Sequence, residues 1–403
     1  MTTEPPPNTD PFAGYRVLEL SRGLAGAYAG KLLTDAGATV ARAARPDDNP
    51  LGHGIGAQTD GDDSALFRYL HAGKQLLRAP DGHGPLSAAW TRDADIVVED
   101  LGPGVLPLQL LRQARPDLVI VSVSPFGHTG PWARRPANEF TLQALCGSTG
   151  GRGLPERTPV QSGGRLGEWT AGGYAAVAAL ALAARVRRGG HGEHVDVSML
   201  EAMLLTQNPY GYVTAQLAAQ PEESPARLVE IPSVEPSKDG YVGFCTVTAQ
   251  QFQDFLVMIE RADLLGDAEL ASAAGRRRRR TEFLAAVHAW TTTRTTEEIL
   301  GAADALRIPA VPITTAEHLE DIAHFRERGV LVDNPHGFRQ PRVPYRLGDT
   351  PAPPVRRTAA PHEAVAAPAW PERTPDPRKP VLPAPADQAL PLQGVRVVDL
   401  TAF

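Results

Sequence analysis

One stretch of this 403-residue chain sets an acidic side chain where chemistry is possible. Gly163-Gly164-Arg165-Leu166-Gly167-Glu168-Trp169-Thr170-Ala171-Gly172-Gly173-Tyr174 places Glu168 between glycines, directly before the apolar run Tyr174–Ala184. A carboxylate in that position is either a helix N-terminal charge or a nucleophile. The first use needs no chemistry, because the helix macrodipole favours negative groups at the N-terminus. The choice between the two rests on the elements that would have to present Glu168.

Those elements alternate. Residues 15–20 read as a strand, 24–37 as a helix closing at Gly37, and 38–44 as a second strand, a βαβ unit with glycines at 23, 26 and 30. A dinucleotide fingerprint needs G-x-G-x-x-G and an acid after the second strand. The glycine spacing here is wrong, and the second strand carries Arg42 and leads into Arg45, which suits a phosphate better than a ribose. Residues 66–77 contain His71-Ala72-Gly73-Lys74-Gln75, read as a turn presenting one lysine. Residues 95–100 and 118–124 are short buried strands, and a helix over 106–113 lies between them. The turn Phe126-Gly127-His128-Thr129-Gly130-Pro131 follows the second of these, and 194–198 is a further strand. This alternation predicts a parallel, doubly wound sheet, in which ligands sit beyond the carboxyl ends of the strands.

The rest of the chain bounds the answer. A formal net charge of −6 argues against a nucleic-acid protein. Cys146 and Cys245 offer neither metal spacing nor a disulfide framework, which fits a reducing, cytoplasmic setting. No metal is expected. Residues 1–11 lack the basic and apolar regions of a secretory signal, and the run 174–184 is too short to span a bilayer. No membrane partner is expected either. Residues 240–345 read as a smaller α+β domain with an edge strand over 308–313, and the five arginines 276–280 as a solvated helix start. From about 348 to 391 proline and alanine dominate, as in an extended linker that is not packed. Then Leu392-Gln-Gly-Val-Arg-Val-Val-Asp-Leu-Thr401 echoes Phe12-Ala-Gly-Tyr-Arg-Val-Leu-Glu-Leu-Ser21, as if a second copy of the first domain began and was truncated.

Several ordered stretches together resemble the class III CoA-transferase family, CaiB/BaiF, which includes formyl-CoA transferase, carnitine CoA-transferase and alpha-methylacyl-CoA racemase relatives. They are Arg16–Gly26 with Leu33–Val40, Ala94–Gly104, Pro116–Val119, Ser122–Pro131, Gln143–Gly147 and Gly189–Ser198, extended by Lys238–Val242 and Ile308–Ile313. The resemblance implies a Rossmann-like large domain over 12–215, a small α+β domain over 216–347, and a dimer whose chains interlock. The resemblance covers about 12–347; composition and the internal echo add the linker at 348–391 and the start of a second copy at 392–403.

The resemblance also implies covalent acyl-CoA chemistry by a carboxylate at the position of Glu168, where the family usually has Asp. Glycines there would let backbone N–H groups reach a tetrahedral oxyanion. CoA or acyl-CoA is then the substrate, with no permanently bound cofactor, and a carboxylic acid is the acceptor. Lys74, Asp100 and Leu101 match CoA-lining positions, and Arg45 a phosphate-side arginine. Leu24 stands where transferases can have glutamine, and Leu108 and Ala137 where some relatives have basic CoA contacts. The histidine of the racemase relatives is replaced by Asn138, and His128 reads as structural. Three readings stay open: a CoA-transferase, as a homodimer or paired with a second CaiB/BaiF-type half; a catalytically impaired CoA-binding half of a tandem protein; and an acyl-CoA racemase.

Overall fold

The computed structural model describes residues 12–44, 64–78, 88–154, 156–208, 213, 216, 231–347, 354–372 and 390–399. The chain divides into two compact units, one of residues 1–150, 161–217 and 330–403, the other of 151–160 and 218–329. The second unit is thus inserted into the first, and residues 330–347 belong with the large unit, where the sequence reading had put them in the small domain.

The large unit is built on six strands: β1 Arg16–Glu19, β2 Thr39–Ala44, β3 Gln75–Arg78, β4 Ile96–Glu99, β5 Val119–Ser124 and β6 His194–Ser198. Their order is β3-β2-β1-β4-β5-β6, and every pairing is parallel. Strands β1, β4 and β5 are buried along their whole length, as a parallel sheet covered on both faces requires. The order reverses between β1 and β4, so the carboxyl ends of these two strands flank the crevice where doubly wound sheets bind ligands. Helices α1 Leu24–Asp35, α2 Ala65–His71, α3 Ala88–Thr91, α4 Leu108–Ala114, α5 Glu139–Leu145, α6 Leu166–Arg187 and α7 Met199–Gln207 connect and cover the sheet.

Helices α1 and α6 form one face of the core, with Ala25, Ala29, Leu33, Ala171, Ala175 and Ala179 packed on Val17, Val98 and Val121. Among the described residues α6 alone is long and apolar enough to cross a membrane, by length and composition, yet its alanine face is buried in this core. The crossing is close because of Gly172: a Cβ there would lie 2.5 Å from the Ala25 carbonyl oxygen. The opposite face of the sheet is covered by Trp90, Leu106 and Leu118.

Two expectations change. Residues 75–78 are a strand rather than part of a turn, so Lys74 points inward and is 4% exposed. The stretch read as an unpacked linker includes residues 354–372, which strap the sheet edge. Val365 exchanges backbone hydrogen bonds with Leu76 and Arg78, and Gln75 pairs with the Ala369 backbone in both directions. Trp90 Nε1 donates to the Ala366 carbonyl, and Trp370 packs on the core beneath. The strap supplies β3 with the partner that an edge strand otherwise lacks. The stretch echoing β1 turns over residues 391–394 and joins no strand among the described residues; Val397 and Val398 stay about four-fifths exposed, at 81% and 79%.

The inserted unit has a three-stranded antiparallel sheet, β7 Val234–Pro236, β8 Tyr241–Phe244 and β9 Ala310–Pro312, in the order β7-β8-β9, so β9 is the expected edge strand. Its core gathers Phe244, Phe252, Phe255, Phe283 and Trp290. The arginine run is consumed locally: Arg276 stacks 4.2 Å from the Phe252 ring centroid, and Arg278, Arg279 and Arg280 pair with Glu269, Asp267, Glu282 and Glu156.

Two glycines are expected to respond oppositely to alanine. Helix propensity favours Ala by about 1 kcal/mol, but at Gly172 the new methyl would press on a backbone carbonyl. Overpacking of that kind costs about 1–3 kcal/mol, so Gly172→Ala is expected to lower the urea midpoint. Gly301, with nothing within 4 Å of its added Cβ, is expected to gain up to about 1 kcal/mol as Ala.

Candidate active site

Glu168 is the third residue of α6 and is 9% exposed. The helix starts abruptly. Gly164 has φ +80°, and Arg165, the N-cap, has φ 56° and ψ 40°, a left-handed conformation uncommon for a residue with a Cβ. That turn throws the Arg165 side chain back over the helix end. Its Nε lies 3.1 Å from Glu168 Oε1 and its Nη2 2.5 Å from Oε2, a fork on both carboxylate oxygens.

The free backbone N–H groups of this helix end go to another acid. Glu139, the first residue of α5, accepts from Gly167 N at 2.9 Å and from Glu168 N at 3.1 Å. Glu139 is itself held by the Gln143 amide at 2.7 Å, and Gln143 also pins Ser162 through both its amide atoms. Asn138 caps the start of α5 in a capping box with Thr141. Burial pushes the Glu168 carboxyl above the usual range; the Arg165 guanidinium pulls it down, the nearby Glu139 charge adds to the rise, and the Leu24 backbone N–H pulls it down again.

Leu24 is the first residue of α1, so the N-terminus of that helix faces Glu168. The two N–H groups before it are taken by Asp100, whose oxygens accept from Arg22 N and Gly23 N at 2.7 Å each. Burial pushes Asp100 up to about 7, against the pull of those two bonds. In doubly wound folds this helix end seats a phosphate; here the protein's own carboxylates share it.

The glycines at 23, 26 and 30 make room for these acids. A Cβ on Gly26 would lie 2.4 Å from the Ser21 Cβ, and one on Gly30 would lie 1.8 Å from Glu19 Oε2. Glu19, at the carboxyl end of β1, is wholly buried and receives the Lys74 ammonium at 2.6 Å and the Ser21 hydroxyl at 3.0 Å. Lys74 also donates to the Ala27 carbonyl at 2.8 Å. Burial brings Lys74 down to about 8, with Glu19 opposing the fall, and burial together with Arg42 and Lys74 holds the His71 imidazole well below its usual range.

The residues singled out from sequence are therefore partly assembled. Glu168 and Asp100 both meet the first turn of α1. Lys74 lies behind them, engaged with Glu19. Leu101 donates its N–H to Glu99 at 2.7 Å, and its side chain packs, half-buried, against the core cluster that contains Trp90 and Val97. Arg45 lies outside the described residues. His128 closes its turn by donating its backbone N–H to Asp196 at 2.7 Å, while its ring stands 3.7 Å from the buried Glu99. Glu19, Glu139 and the fork from Arg165 were not found by sequence reasoning. Glu139 had a usable signal, an acid one residue after an N-cap asparagine; Glu19 and Arg165 had none, because burial and a left-handed turn are not written in composition.

The fold and this site define a doubly wound α/β protein with a buried carboxylate presented at a helix N-terminus beside the switch point of the sheet. The family model for CoA-transferase family III matches residues 12–364, and the chain belongs to that family. It is 27% identical over 354 residues to succinate–glutarate CoA-transferase of Agrobacterium fabrum, covering 82% of this chain and 87% of the relative. It is 29% identical over 340 residues to succinyl-CoA:mesaconate CoA-transferase of Haloarcula marismortui, covering 79% and 85%. A CaiB/BaiF family structure from Brucella suis superposes with a TM-score of 0.75 at 25% identity, over 88% of this chain and 97% of that one.

Two outcomes test the electrostatics. Lys74→Met leaves Glu19 buried without its counter-ion, and breaking a buried pair costs about 3–5 kcal/mol. A denaturant melt should show a loss of that order, and Lys74→Met/Glu19→Gln should recover much of it. Asp100 has a folded pKa raised above its unfolded value, so the folded state binds more protons between the two values and stability falls as pH rises through that window. Relative to Asp100→Asn, the wild type should therefore lose stability from about pH 4 to about pH 7; a difference independent of pH would contradict this.

Proposed function

We propose that this chain transfers CoA from an acyl-CoA to a carboxylic acid, with Glu168 as the nucleophile. The observation that carries the reading is a buried carboxylate fixed at the head of α6, facing the α1 N-terminus at the switch point of the sheet. Ionised Glu168 attacks the thioester carbonyl, the C–S bond breaks, and CoA thiolate leaves a mixed anhydride. The thiolate attacks the glutamyl carbonyl of the anhydride and releases the first acid, which leaves a Glu168–CoA thioester. The acceptor carboxylate attacks that thioester, forming a second anhydride and freeing the thiolate. The thiolate then takes the acceptor acyl group and returns Glu168 as a carboxylate. Dividing the exchange this way keeps each barrier low. The Leu24 N–H at the head of α1, which reaches Glu168, offers a hydrogen bond to the oxyanions that form there.

The names of the relatives point to short dicarboxylates as acids and succinyl-CoA as a donor. In this reading Asp100 and Leu101 line the CoA side of the crevice, Lys74 shapes its floor by holding Glu19, and Arg45, outside the described residues, is assigned a CoA phosphate on sequence grounds alone. The chain works as a dimer or with a second CaiB/BaiF-type half. An apolar hollow of about 550 Å³ on the α1–α6 face, lined by Phe12, Leu32, Tyr174, Val177, Leu180 and Tyr345, supports a covered surface there. The free cysteines Cys146 and Cys245 fit a reducing cytoplasm. The second reading, a half that binds CoA without turning over, is favoured by the Arg165 fork that ties up Glu168.

The test separates them. Incubation with succinyl-CoA and then hydroxylamine should place a hydroxamate on Glu168, read by mass spectrometry. Glu168→Gln should form no adduct and lose about 10³-fold or more in kcat. No adduct on the wild-type protein with any short acyl-CoA would leave the non-catalytic reading. Because burial raises the Glu168 pKa, kcat/KM should fall on the acid side at a higher pH than for an ordinary glutamate.

A further inference from the structure

We propose that Arg165 alternates between two carboxylates: it holds Glu168 in the resting protein and receives the acceptor acid once Glu168 is converted to the CoA thioester. This rests on Glu168 acting as the nucleophile.

Two independent observations lead to it. The first is conformational. Arg165 sits at φ 56°, a left-handed turn that glycine or asparagine would adopt with less strain. A strained residue at the head of a site is a reason to look for a role. The second is geometric. The fork on Glu168 uses the Nε–Nη2 edge of the guanidinium. The other edge, between Nη1 and Nη2, makes no further hydrogen bond among the described residues, and the side chain is 43% exposed. An arginine offers five N–H donors in a rigid plane. A second carboxylate can therefore dock edge-on beside the first.

Charge bookkeeping gives the sequence of events. At rest the guanidinium and Glu168 neutralise each other. When Glu168 becomes an anhydride and then a thioester, its negative charge is gone, while Arg165 keeps its own. The cation is left without its partner at a site where Glu168 is 9% exposed, and the nearest mobile anion is the acceptor acid. Drawn onto the guanidinium, one acceptor oxygen lies next to the glutamyl carbonyl carbon that it must attack. Its attack forms the C–O bond of the anhydride and breaks the C–S bond, and CoA leaves as thiolate. When acyl-CoA has formed and Glu168 is again a carboxylate, the fork closes and expels the product side. The pairing thus commits the acceptor only to the charged-up enzyme.

The test is a single-turnover chase. Protein is loaded with succinyl-CoA, the first acid is removed by gel filtration, and glutarate, mesaconate or oxalate is added; thioester loss is followed by hydroxylamine trapping. Arg165→Asn keeps the left-handed turn and removes the guanidinium, and Arg165→Lys keeps the charge without the fork. Both lose the fork on Glu168, so loading is run to completion before the chase, and the thioester, once formed, should hydrolyse in water at the wild-type rate. Its discharge by the acceptor should slow roughly 10- to 100-fold, the worth of a charge-assisted hydrogen bond, with a raised KM for the acceptor and an unchanged KM for succinyl-CoA. Discharge at the wild-type rate in either folded variant overturns the proposal. So does a variant that fails to form a thioester the wild type forms, since Arg165 would then serve Glu168 alone. Failure of the wild type to form a thioester overturns the transferase reading itself.

Discussion

The positive end of α1 is the feature on which the large unit depends. Its first N–H groups have no partners within the helix; the N–H groups at and just before its start meet carboxylates from two other parts of the chain, and a third acid is buried behind the helix. Asp100 takes Arg22 N and Gly23 N, Glu168 faces Leu24 N, and Glu19 sits behind the first turns, in the space left by Gly30. Concentrating acids there is tolerable only because each has its own counterweight. Lys74 answers Glu19, Arg165 answers Glu168, and backbone dipoles answer Asp100. Removing a counterweight leaves a buried charge with nowhere to go, and this explains why a lysine just before β3 and an arginine at a helix cap are both necessary to a single crevice.

The central strands were legible in the sequence because a parallel sheet covered on both faces must be built from continuous apolar runs, as in Ile96-Val97-Val98 and Val119-Ile120-Val121. Strand β3 was not, since Gln75-Leu76-Leu77-Arg78 alternates no better than a loop and its second partner is the strap far along the chain. The glycines at 23, 26 and 30 were visible as a pattern, but the spacing alone could not say what they accommodate. They make space for side chains from β1, the end of β4 and the start of β3, and no local motif records that.

Glu168 was legible for a similar reason to the strands: glycines followed by a long alanine-rich run mark a helix start wherever they occur. Its surroundings were not. Glu139 lies 29 residues upstream of it and reaches the same helix end only because α5 and α6 meet there. The fork from Arg165 depends on one backbone dihedral. Residues 354–372, within the proline-rich stretch, differ from the sequence expectation for a related cause. Composition records that a segment cannot be helix or central strand, and a strap that hydrogen-bonds an edge strand over a few residues is compatible with that composition.

The strap also sets a condition on how the molecule is made. Gln75 and Ala369 are 294 residues apart and bond to each other in both directions. During synthesis the first sheet strands emerge early, the inserted unit follows, and the edge of β3 stays open until the segment that covers it leaves the ribosome. Contacts that close so large a loop form late and slowly. Between β3 and the strap the growing chain therefore carries an unsealed parallel-sheet edge, the kind of surface that invites association with neighbouring nascent chains, and the inserted unit, whose last residue is 329, emerges complete before the strap does.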